Sequence, residues 1–80
     1  MPDIEDIDRL GGWLVRVITR GNPPIERHFY AYDLDPVRAV TLVRAYAPVT
    51  HGEGCEAVRA LPVHELTGNG MQPGEVKQHA

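Results

Sequence analysis

The chain has no serine, one cysteine, one lysine and no long apolar run. The missing serine excludes a serine-nucleophile hydrolase outright. A single cysteine cannot close an internal disulfide, so no disulfide framework supports the fold. Cysteine usage of this kind suits a reducing compartment. No apolar run approaches the roughly 18 residues of a membrane-spanning helix. The opening stretch, MPDIEDIDRL, is acidic and lacks an apolar signal-peptide core, so the expected location is the cytoplasm. No glycine-rich phosphate loop leads from a strand into a helix: GNPP and GEG both fall outside that pattern.

What is present is enough for one small domain. Eighty residues with a net charge of -3 bury a modest core and carry no basic footprint for nucleic acid. Residues 1–11 hold charges at Asp3, Glu5, Asp6, Asp8 and Arg9 and end in Gly11-Gly12. They read as a flexible acidic tail, followed by a single domain over 12–78.

Trp13-Leu14-Val15-Arg16-Val17-Ile18-Thr19-Arg20 is rich in β-branched and aromatic residues and reads as a strand. Gly21-Asn22-Pro23-Pro24 is a turn signal, and Ile25–Tyr32 returns as the second strand of a hairpin. The residues do not fix its register. One choice sets Phe29 and Ala31 across from Val17 and Val15, and Arg20 across from Glu26. Leu14, Arg16, Ile18, Arg20, His28, Tyr30 and Tyr32 then share the other face, and a slip of one residue would exchange the two sets.

Asp35 and Pro36 supply an N-cap and a first helical residue for a helix over 36–47 that ends at Pro48. Ala39, Val40, Val43 and Ala47 share its apolar face. Glu56–Leu61 suits a third strand. Pro62 opens a short helix from Val63 to about Asn69, with Gly70 at its C-terminus and Met71 as the accompanying apolar contact. Glu75–Gln78 suits a last short edge strand. The expected fold is α+β: a small antiparallel sheet with one main helix and one short helix on one face.

This order of elements resembles small uncharacterised bacterial proteins of unknown function. The resemblance runs over residues 12–78, through WLVRV, YAYDLDP, DPVRAVTLVRAY, EAVRAL and, most distinctively, Gly70-Met71-Gln72-Pro73-Gly74-Glu75-Val76. It implies a fold order and brings no catalytic residues and no cofactor.

Three groups of residues are candidates for function. Thr50-His51-Gly52-Glu53-Gly54-Cys55-Glu56 gathers a thiol, an imidazole and carboxylates. A thiol site there would need a lowered pKa, which Glu53 and Glu56 oppose. A metal site would need more than His51 and Cys55, with His64 or His79 joining from afar, and zinc spacing is absent. The plainer expectation is a connector, with Cys55 starting a strand as a small apolar side chain and no metal bound. His79 reads as a mobile residue near the C-terminus. The second group is the Arg/Tyr face, where aromatics flanked by arginines can stack bases or hold a small ligand. The third reading takes the same face, Leu14, Arg16, Ile18, Arg20, His28, Tyr30 and Tyr32, as a protein-interaction surface, since tyrosine and arginine are enriched at interfaces. With both helices on the opposite face it would be open, and a second copy or another protein would cover it. The expectation is thus a non-enzymatic accessory or interaction protein, a possible homodimer, with no catalytic residues and no cofactor. Nucleic-acid binding and a thiol or metal site at His51/Cys55 are the alternatives.

Overall fold

A computed structural model describes residues 9–46 and 54–79. Four strands and two helices follow the order β1 (Leu10–Thr19), β2 (Ile25–Ala31), α1 (Pro36–Tyr46), β3 (Gly54–Pro62), α2 (Val63–Gly68) and β4 (Val76–His79). The strands form one sheet in the order β3-β1-β2-β4, with every neighbouring pair antiparallel. The α+β class and the small antiparallel sheet are as the sequence predicts.

The hairpin keeps the expected faces but not the expected register. Val15 pairs with Phe29, Trp13 with Ala31, and Ile18, not Arg20, with Glu26. The shift is two residues, so no side chain changes face. Two contacts favour it. The Trp13 indole Nε1 donates to the Leu34 carbonyl at 2.8 Å. A Cβ on Gly12 would lie 2.2 Å from the Ala31 carbonyl oxygen, so only a glycine lets the strands meet at that point. Strand β1 also starts at Leu10, so Leu10 and Gly11, expected in the tail, belong to the sheet; residues 1–8 lie outside the described residues.

Helix α1 begins as its sequence dictates. The Asp35 carboxylate accepts from Val37 N at 2.8 Å and Arg38 N at 3.3 Å, meeting donors that the first turn leaves free. Ala39 and Val43 turn inward and are buried against Val15, Val17, Phe29 and Ala31, all at most 1% exposed. Trp13, Val40, Cys55 and Val76 pack around this cluster. Ala47 and Pro48 lie outside the described residues.

The short helix departs from expectation. It lies on the opposite face of the sheet from α1. Leu61 and Leu66 are fully buried and form a second cluster with Met71, against which Leu14, Tyr30 and Tyr32 pack. The reason is local. Leu61 pairs with Gly12, which places it on the Leu14 side, and the chain passes from Pro62 into α2 with no connecting loop. Val63 N donates to the Arg9 carbonyl at 2.6 Å. The helix end is as predicted. Gly70 has φ 74°, Gly70 N donates to Thr67 O at 2.9 Å, and Met71 N donates to Leu66 O at 3.2 Å. These two bonds and the Leu66–Met71 contact make a Schellman cap.

Candidate functional site

The second face of the sheet is built by register. Arg16 pairs with His28 and with Glu56, and His28 pairs with His79. The result is a transverse row across all four strands: Glu56, Arg16, His28, His79. The next row is Arg59, Leu14, Tyr30, Lys77. Glu56 and Arg59 are three apart, so in a regular strand they would point to opposite faces. The irregularity where Leu14 pairs with Arg59 but Val15 pairs with Ala57 brings both to this side.

Arg16 stands at the centre. Its guanidinium donates to the Glu56 carboxylate and lies 3.8 Å from that of Glu26. The hydrogen bond and charge of Glu56 hold the guanidinium above its ordinary pKa, with a smaller contribution from Glu26, against a partial loss of hydration. At the β4 side, the His28 and His79 rings stand nearly perpendicular with centroids 6.5 Å apart, and the Tyr30 ring meets His79 at 5.2 Å.

Leu14, Arg16, Ile18, His28 and Tyr30 of the predicted surface share this face. Tyr32 stands just past the end of β2, where α2 packs against it together with Leu14 and Tyr30. Arg20 lies beyond the end of β1 in the exposed hairpin loop and is not part of the array. The face is therefore half covered. Helix α2 takes the Gly12/Leu14/Tyr32 end, and Arg16, Ile18, Glu26, His28, Glu56 and His79 remain accessible to solvent.

The basic groups here have internal partners. Arg59 lies 3.4 Å from Glu65, and the Lys77 ammonium donates to the Asn69 carbonyl at 3.1 Å. A face whose cations are already matched by acids and carbonyls presents little uncompensated charge to a phosphate backbone.

Sequence reasoning missed Glu56, Glu26 and His79 as members of this array. His79, expected to be mobile, is the last residue of β4. Its even spacing from Lys77 in a strand that pairs with β2 was the available signal. Of the quoted loop, residues 47–53, including His51 and Glu53, lie outside the described residues. Cys55 is the second residue of β3 and packs against the cluster under α1, as expected of a small apolar side chain. Among the described residues, no three His, Cys, Asp or Glu side chains come together as a metal group. No helix among them is long and apolar enough to cross a membrane. No protein-family model matches the chain, and no curated protein or solved structure matches it.

Proposed function

We propose that this is a non-enzymatic interaction protein whose working surface is the uncovered half of the second sheet face, and that a second copy of the chain is the first partner to test. The observation that carries the reading is the unequal cover of the sheet. Helix α1 buries Val15, Val17, Phe29 and Ala31 completely, while the six-residue α2 reaches only one end of the other side. Ile18 and the aliphatic stem of Arg16 then offer apolar area beside Tyr30 and His28, rimmed by charge. That composition suits a protein interface. A face with both signs of charge also suits pairing with a copy of itself, since a two-fold axis brings each patch against its own duplicate.

The matched cations around Arg16 and Arg59 support a protein partner over a nucleic acid. The packing of Cys55 supports a structural role over a thiol site. Light scattering over a micromolar-to-millimolar series tests the proposal. The expected result is a mass rising from 8.9 kDa toward a dimer, with Ile18→Glu remaining monomeric and folded by circular dichroism. A wild-type chain that stays monomeric throughout would refute self-association through this face.

A further inference from the structure

The histidine pair on β2 and β4 points to a site that the interaction reading does not use. We propose that His28 and His79 form a cross-strand chelate for a late first-row divalent cation such as Ni²⁺ or Zn²⁺, and that the bound ion clips β4 to the sheet. The residues are directly paired in register, on neighbouring antiparallel strands. Their rings are in edge-to-face contact, 6.5 Å between centroids at 83°. His28 is half-buried and His79 exposed, so one ligand is held by its surroundings and the other can adjust.

The geometry needs little movement. Metal–nitrogen distances of about 2.0–2.1 Å place the centroids of two imidazoles on a tetrahedral ion roughly 5 Å apart. The observed separation exceeds that by little more than 1 Å. The terminal torsion of histidine is broad, so turning the exposed His79 ring brings a nitrogen of each toward a common point at small cost. Imidazole suits zinc, copper and nickel. No third histidine, cysteine or carboxylate among the described residues completes a group of three, so water fills the remaining positions and binding is weaker than in a structural zinc site.

The clip has a reason to matter. Strand β4 has four residues, sits at the sheet edge and pairs only with β2. It lies at the end of the described chain. An ion bound by one residue from each strand is lost when β4 leaves, so binding and docking are linked. The inference does not depend on whether the face binds a protein.

The test uses the full chain without an affinity tag, titrated with Ni²⁺ alone by calorimetry at neutral pH. The expected result is one site in the micromolar range. His79→Gln, at an exposed position that does not threaten folding, should weaken it by about tenfold or more, since even outer-shell partners of a metal are worth about 10–100-fold. His28→Gln should do the same, while His51→Gln/His64→Gln should leave the affinity unchanged. Amide exchange in residues 76–79 should slow with Ni²⁺ in the wild type and not in His79→Gln. Affinity that survives His79→Gln, affinity lost in the His51/His64 variant, or no binding below millimolar Ni²⁺ would each overturn the proposal.

Discussion

Replacing Leu66 by alanine removes the centre of the smaller core. Leu66 is fully buried, and its neighbours are Leu61, Met71, Leu14, Tyr30 and Tyr32. Burying a leucine contributes about 1.5–3 kcal/mol by transfer alone, and leucine-to-alanine changes in cores cost about 2–5 kcal/mol once the cavity is included. The surroundings here are partly exposed and include an adaptable methionine, so the site can collapse in part. The expected loss is therefore about 2–3 kcal/mol. A domain of this size holds about 4–12 kcal/mol in total, and each kilocalorie moves Tm by about 4–8 °C, so Leu66→Ala should lower Tm by about 10–20 °C. Urea unfolding followed by Trp13 fluorescence measures it. Trp13 belongs to the cluster on the opposite side, so it reports whether both clusters unfold as one unit. The control is Val37→Ala, at a position 73% exposed, which should change stability by no more than about 0.5 kcal/mol. A loss below about 1 kcal/mol at unchanged m, or a Trp13 midpoint that does not move, would refute the argument that α2 shares the cooperative core.

Further outcomes follow from the same contacts. Gly12→Ala puts a Cβ against the Ala31 carbonyl, a backbone group that cannot rotate aside. It should cost more than the usual overpacking penalty of about 1–3 kcal/mol, read as a fall in the urea midpoint. Asp35→Ala removes the cap of α1 and should cost about 1 kcal/mol by the same assay. Gly70→Ala forces a side chain into the left-handed region and should cost about 1–2 kcal/mol, with α2 fraying first in amide exchange. Glu56→Gln removes the first partner of Arg16. It should lower the midpoint slightly at low salt, and the difference should vanish near 1 M salt, where the screening length is about 3 Å.

Much of this architecture was legible in the residues, for identifiable reasons. Alternation in Trp13–Thr19 and Ile25–Ala31 assigns side chains to faces, because a strand has a period of two. The same period is blind to a shift of two, so the pairing of Val15 with Phe29 could not be told from that with Ala31. What decides between them is a close approach at Gly12 and an indole bond from Trp13, both tertiary. Caps are local chemistry, so Asp35-Pro36 and Gly70-Met71 were readable. The side taken by α2 was not, because six residues show too little periodicity and the outcome rests on which face Leu61 occupies in β3. The candidate site divides in the same way. Its β1 and β2 members lie in one hairpin and are visible from sequence. Glu56 joins through a strand irregularity, and His79 through pairing of β2 with a distant chain segment.

The central claim is that the sheet has one sealed face and one half-covered face. Methyl relaxation by a soluble gadolinium chelate, on dilute protein, reads it residue by residue. The account predicts strong protection of Val17, Val43 and Leu66 methyls and marked relaxation of Ile18, one residue from Val17 on the opposite side. Ile18 as protected as Val17, or Leu66 as accessible as Ile18, would contradict it.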